Sequence, residues 1–433
     1  MDKMADVLGR AGAWCGQNKY LSAIKNAFQN FMPLTIAGAI GVLWCNVLVN
    51  DQTGLGLFFK PIMALDFLNP AFQAVNFCTI SCITVGITLG IAQEIGIWNM
   101  GAEKAGYIPG LVGLAAWLSV TNTSHMVEGA KEAFTGIAGN ELGATGLFTG
   151  MIIGVLSVEL FCFFEKQDAL KIKMPEQVPP GVARAFEVLV PATITLIITA
   201  CIGSACYNLT GLYLNDVIKN GIQGPLGAVG ATIPGVMIIY LVIMLFWLVG
   251  IHGNNMLSAV KEALFTPLAL ENVEKFNKGE KPTNIINMYF LQMCGEFGGS
   301  GVTIGLVIAI LIFSKREDNR TIAGISIVPG LFNINETMTF GIPLVLNPIL
   351  DIPFILAPVV TVIIGYILVS SGFCPKIVLE VPWTMPPVLF GFVATGGKPM
   401  GAVAQLIVLA VSVLVYIPFL IAYEKFQAKQ AAE

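Results

Sequence analysis

The chain has 433 residues, 55% of them hydrophobic and only 12% charged, with a mean hydropathy of +0.78. Soluble domains carry about 25% charged residues, so a polytopic membrane protein is implied. The net charge of −4 is too small and scattered to imply a nucleic-acid partner. The alternation of a transmembrane barrel is absent, leaving helices as the spanning elements.

The first 28 residues are punctuated by polar groups and read as an interfacial amphipathic helix, with no secretory signal. Apolar stretches that reach or approach the roughly 20 residues of a spanning helix follow at 30–50, 71–92, 106–121, 141–164, 185–208 and 227–251. Two short runs come next, 285–297 and 300–314, then 349–370 and 400–423.

Positive charge orients these spans. Lys3, Arg10, Lys19 and Lys25 precede the first, and Lys166, Lys171, Lys173 and Arg184 follow the fourth. Lys261, Lys275, Lys278 and Lys281 follow the sixth, Lys315, Arg316 and Arg320 the short pair, and Lys425 and Lys429 the last. The loops around 51–70 and 209–226 are poor in Lys and Arg. This pattern predicts ten crossings with both termini in the cytoplasm, the chain reversing at Gly298-Gly-Ser-Gly301.

Two regions do not read as plain spans. Residues 253–284 are long and semi-polar. Residues 322–347 are apolar but carry Pro329, Gly330, Asn333, Asn335, Glu336, Gly341 and Pro343. Both are expected to be re-entrant hairpins. Residues 212–225 read as an amphipathic interface helix with Leu214, Val217, Ile218 and Ile222 on one side. The fold expected is therefore all-α and polytopic, with about ten transmembrane helices, two re-entrant hairpins and amphipathic interface helices. Its divisions are an N-terminal segment 1–28, a scaffold half 29–210, a connector 211–226, a polar-site half 227–425 and a tail 426–433.

Several chemistries drop out. Gly391-Phe-Val-Ala-Thr-Gly-Gly-Lys398 misses the spacing and the hydroxyl of a phosphate-binding loop, and Gly295, Gly298 and Gly301 follow no strand. The nine cysteines lie mostly in apolar runs. The only histidines are His125 and His252, so neither a metal nor another cofactor is implied. No appended soluble domain is read, so any energy source or phosphoryl donor is expected to come from elsewhere.

What remains is a set of polar groups at membrane depth. An ionisable residue there costs roughly 2.5–3.5 kcal/mol or more and marks a functional site by default. Irregular backbone is tolerated there only inside protein or beside a wet cavity. Glu336 meets both conditions, between Asn333, Asn335 and a Gly/Pro-broken run. His252, in Gly250-Ile-His-Gly-Asn254-Asn255, ends the sixth span, and its ring both donates and accepts hydrogen bonds near working pH. His125 lies in a polar run and carries little functional weight. Glu296 either binds sugar hydroxyls or braces the glycine turn. Trp383, with Thr384 in Glu380-Val-Pro-Trp-Thr-Met-Pro386, offers a flat face for a sugar ring or serves as an interfacial anchor. Carboxylates, amides, one imidazole and an aromatic plate, with no lysine or arginine expected among them, suit a neutral polyhydroxy ligand.

These residues carry a resemblance. Lys173-Met-Pro-Glu-Gln-Val-Pro-Pro-Gly-Val-Ala-Arg-Ala-Phe186, Gly250-Ile-His-Gly253, Gly298-Gly-Ser-Gly301, Asn335-Glu-Thr-Met-Thr-Phe-Gly-Ile-Pro-Leu-Val-Leu-Asn-Pro348 and Pro382-Trp-Thr-Met-Pro386, in this order, are similar to the membrane (IIC) component of sugar phosphotransferase systems of the lactose/cellobiose/diacetylchitobiose type. The likeness runs from about residue 20 to 425. It implies a homodimer formed by the N-terminal half, a disaccharide bound in the C-terminal half, and a bacterial cytoplasmic-membrane location. It further implies phosphorylation of the sugar 6-hydroxyl by a cytoplasmic IIB protein carrying phosphocysteine, fed through IIA and the general phosphocarriers. Glu336 is then the expected general base and His252 its partner, with Asn254, Asn255, Glu296, Asn333, Asn335, Trp383 and Thr384 as substrate contacts. The resemblance also implies rigid-body movement of the sugar-binding half, with hinges around 371–399 and 212–225. The competing reading is a proton-coupled secondary transporter that releases unmodified sugar; a passive channel fits the clustered intramembrane carboxylates poorly.

Overall fold

The computed structural model describes residues 10, 14, 17–51, 55–125, 133–175, 177–248, 250–342, 344, 347 and 349–430. Most of residues 1–16, Cys15 among them, lie outside the described residues, as do Pro343 and the end of the tail. In chain order the helices are α1 (Lys19–Leu43), α2 (Asn69–Cys78), α3 (Ile83–Met100), α4 (Ile108–Val120), α5 (Ala144–Glu165), α6 (Pro180–Thr210) and α7 (Leu214–Ile218). There follow α8 (Ile233–Leu248), α9 (Gly253–Asn277), α10 (Met288–Gly295), α11 (Ile304–Phe313), α12 (Glu317–Leu331), α13 (Glu336–Gly341), α14 (Asp351–Ser370), α15 (Leu389–Ala394) and α16 (Pro399–Gln430). A two-stranded ladder pairs β1 (Ser124–His125) with β2 (Phe134–Thr135).

All ten apolar segments are helical. Six described helices are long and apolar enough to cross a membrane, or eight if each of two bent pairs is one span. The bends are 77° between Leu214–Gly230 and Ile233–Leu248, and 63° between Met288–Val302 and Ile304–Phe313. Ile108–Val120 is apolar but shorter; at 1.5 Å per residue its 13 residues reach about 20 Å. Residues 19–28 are the opening turns of α1, continuous with the span that follows.

One compact unit comprises Gln17–Ala37 and Phe77–Gly227. Its helices approach closely through small residues, the packing mode of helices in lipid. A Cβ on Gly113 would lie 2.3 Å from that of Ala92, and one on Gly150 would lie 2.2 Å from Thr88 Oγ1. The buried Glu165 carboxylate is paired by Arg184 at 2.9 Å and Lys104 at 2.8 Å. In the connector, Asn215 is buried and accepts from Thr149 Oγ1 at 2.6 Å.

The second unit comprises Gly38–Asn76 and the chain from Ala228 onward. A simple division at 210 does not anticipate that the end of α1 and the loop after it pack here. The core gathers Tyr240, Trp247, Phe290, Phe297, Phe354 and Tyr416. Residues 253–284 contain one unbroken 25-residue helix, α9, followed by a non-helical connection. Where a re-entrant hairpin is expected, residues 322–342 run as α12 and then α13, interrupted at 332–335. Along α9, Lys261, Thr266 and Asn272 are buried polar groups, and the connection leads on to α10.

Candidate functional site

The site is built where three irregular turns meet the start of α9. Gly298, Gly299 and Gly301 have φ of +70°, +87° and +75°, values that only glycine adopts without strain. The turn they form is pinned from outside, because Tyr416 Oη donates to the Gly301 carbonyl at 2.6 Å. A second turn, Pro382–Met385, closes with a Met385 N to Pro382 O bond of 2.8 Å. The connection that follows it is fixed by Gln405, whose Oε1 accepts from Val388 N at 2.8 Å and Gly391 N at 2.6 Å. Its amide nitrogen donates to Met293 O at 3.2 Å.

His252 is the N-cap of α9, and its Nδ1 accepts from the Asn255 backbone N–H at 3.3 Å. That bond places the ring proton on Nε2. Nε2 lies 4.0 Å from Glu336 Oε1, with side chains 35% and 48% exposed. The separation exceeds a hydrogen bond, so both groups keep capacity for a third partner. The imidazole packs on Trp247, ring centroids 4.6 Å apart. Gly253 lets α9 begin here, since a Cβ would lie 2.0 Å from the Ile243 carbonyl oxygen. His125 belongs to the other unit.

The two asparagines flanking Ile334 are engaged with protein groups. Asn333, at φ +64°, accepts from Gly298 N at 2.5 Å. Its amide donates to the Trp383 carbonyl and, at 3.4 Å, to that of Met385. One side chain thus clamps the glycine turn to the tryptophan turn. Asn335 is buried and donates to Ser300 O at 2.9 Å and Thr339 Oγ1 at 3.1 Å. Both residues position Glu336 and Trp383. Trp383 is 45% exposed, Thr384 is half-buried beside it, and Asn255 is exposed.

Sequence reasoning missed Lys261. It was counted in the basic flank after the sixth span, and the site was expected to lack a cation. Lys261 is instead buried, forms an ion pair with Glu296, and donates to Asn254 Oδ1 at 3.3 Å. Asn254 passes the link on to Ser300 Oγ at 2.9 Å. Tyr240 Oη shares its one proton between Leu291 O at 3.2 Å and Glu296 at 3.4 Å. Glu296 therefore braces the turn. The available signal was spacing: Lys261 is seven residues from Asn254, two turns along the same face of an unbroken helix. With Glu296 neutralised, Glu336 is the carboxylate left facing His252.

Fold and site together define a polytopic membrane protein whose broken helices bring a carboxylate and an imidazole face to face, with an exposed tryptophan on a turn tied to the same break. The family model for the phosphotransferase system, EIIC, matches residues 25–358, and the chain belongs to that family. The oligo-beta-mannoside-specific EIIC component of Bacillus subtilis (strain 168) is 32% identical over 437 residues, covering 100% of this chain and 96% of that protein. The cellobiose-specific EIIC component of Lactococcus lactis subsp. lactis (strain IL1403) is 28% identical, covering 98% of each. Among solved structures, the transporter ChbC, the IIC component from the N,N'-diacetylchitobiose-specific phosphotransferase system, superposes with a TM-score of 0.87 at 29% identity, over 97% of both chains.

Proposed function

We propose that this chain is the membrane component of a phosphoenolpyruvate-dependent system that binds a β-linked disaccharide, carries it across a bacterial cytoplasmic membrane, and presents its 6-hydroxyl to a phosphocysteine IIB partner. The substrate class follows from the cellobiose, diacetylchitobiose and oligo-β-mannoside systems of its relatives. The observation that carries the reading is the facing pair His252 and Glu336, with the exposed Trp383 on the turn that Asn333 holds by its carbonyl.

A sugar ring lies on the indole, and its hydroxyls reach between imidazole and carboxylate. The 6-oxygen attacks the phosphorus, the S–P bond breaks, and the thiolate leaves on the IIB cysteine. Glu336 takes the hydroxyl proton, and His252 Nε2–H steadies the same oxygen. Phosphoryl transfer is mostly positioning and charge stabilisation. Lys261 is tied to Glu296, so cationic help falls to IIB. The sugar phosphate is then a poor ligand for a site with an open carboxylate and leaves on the cytoplasmic side. In this reading the chain is a homodimer with both termini cytoplasmic.

The test is Glu336→Gln, assayed for disaccharide binding and for phosphorylation by the phosphorylated IIB protein. A general base contributes roughly 10²–10⁴-fold, so phosphorylation should fall by that factor. Phosphorylation at the wild-type rate would remove Glu336 from the mechanism.

A further inference from the structure

A second polar cavity lies in the same unit, away from His252. It is a half-open cleft of about 470 Å³, within the range of small-molecule sites, roughly 300–1,000 Å³. Its walls carry six carboxamides, Asn46, Asn50, Asn69, Gln73, Asn76 and Asn277, and two carboxylates, Asp51 and Asp66. Among the described residues, no lysine or arginine lines it.

Helical spacing builds this wall. Asn69, Gln73 and Asn76 fall at i, i+4 and i+7, one face of α2. Val42, Asn46 and Val49 repeat that spacing on the end of α1 and its π-helical extension Trp44–Leu48. The two segments meet at Gly41, where a Cβ would lie 2.6 Å from the Phe72 carbonyl oxygen. Some amide capacity is used internally: Asn46 Nδ2 donates to Asn277 Oδ1 at 3.4 Å, and Asn50 Nδ2 to Cys45 O at 3.3 Å. Asn69 donates to Asp66 and, at 3.5 Å, to Val49 O. Its own Oδ1 is buried with no donor.

We infer that this cavity is a second binding site for a neutral polyhydroxylated ligand, the same class of disaccharide that the proposed function assigns to the His252–Glu336 site, on which reading this inference rests. Carboxamides both donate and accept, as sugar hydroxyls do, and two carboxylates without a cation disfavour a sugar phosphate. Asn277 ends the helix that His252 caps. At 1.5 Å per residue, the 25 residues of α9 separate the two sites by about 35 Å.

The test is equilibrium dialysis of the full-length protein in detergent against radiolabelled cellobiose, diacetylchitobiose and lactose. We expect two sites per chain for the transported sugar. Gln73→Leu with Asn277→Leu should remove one of them, and His252→Ala the other. Should the double leucine variant fold poorly, Gln73→Glu keeps the size and should weaken the second site roughly tenfold or more. One site per chain, abolished by His252→Ala and unmoved by the cavity variants, would overturn the inference. Two sites with the cavity variants removing one and His252→Ala removing none would sustain it while refuting the His252 assignment.

Discussion

The Lys261–Glu296 pair gives the sharpest energetic prediction. The two side chains are 5% and 16% exposed. Lys261→Met keeps most of the volume but leaves the Glu296 carboxylate, among the described residues, with the Tyr240 hydroxyl at 3.4 Å. Breaking a buried ion pair by removing one partner costs about 3–5 kcal/mol, because an uncompensated charge stays behind. Asn254 Oδ1 loses a donor as well, worth about 1 kcal/mol. Against a total of about 5–15 kcal/mol for a native fold, the loss should lower the unfolding temperature in detergent by many degrees. Lys261→Met with Glu296→Gln removes both charges and should recover most of it. Thermal unfolding of the wild type, both single variants and the double variant closes the cycle. A Lys261→Met protein as stable as wild type, or a double variant no better than the single, would refute the assignment of Lys261 as the counter-charge of Glu296.

Other variants separate chemistry from positioning. His252→Ala should damage phosphorylation more than Trp383→Phe, since a stacking face is partly replaced by another ring while the Nε2–H is not; equal losses in kcat would mean that both only shape the site. Asn333→Ala should raise KM more than it lowers kcat, because the clamp between Gly298 N and Trp383 O is lost, and Asn333→Gly should do the same despite tolerating the positive φ. Rescue of affinity by glycine would show that the backbone conformation, and not the amide, is what the position supplies.

The sequence made some of this legible and hid the rest for physical reasons. Apolar runs announce helices because lipid demands internally satisfied backbone, and each expected run is helical. Glu336 and His252 stand out in the sequence because ionisable groups beside Gly/Pro breaks are costly at membrane depth, and the fold brings them to 4.0 Å. Lys261 was hidden because charge counting assigns a lysine to a flank, and its burial depends on Glu296, 35 residues away. Asn333 and Asn335 were read as ligand contacts, but a carboxamide serves backbone and ligand equally well, and the choice is made by the fold around Gly298, Ser300 and Trp383. The 253–284 region reads as semi-polar because α9 buries some polar side chains, Lys261, Thr266 and Asn272, and exposes others, Asn255 and Asn277, which a hydropathy average does not separate. Residues 51–70 read as a loop; they hold a 3-10 segment, Lys60–Leu68, that helps wall the second cavity.

The central claim is that transport and phosphorylation are one event. It is tested by uptake of labelled disaccharides into vesicles holding the protein, with and without phosphoenolpyruvate and the soluble phosphocarriers. Internal label found as the 6-phosphate, and only with the carriers present, is the expected result. Unmodified sugar accumulating under a proton gradient alone would contradict it and make the protein a secondary transporter.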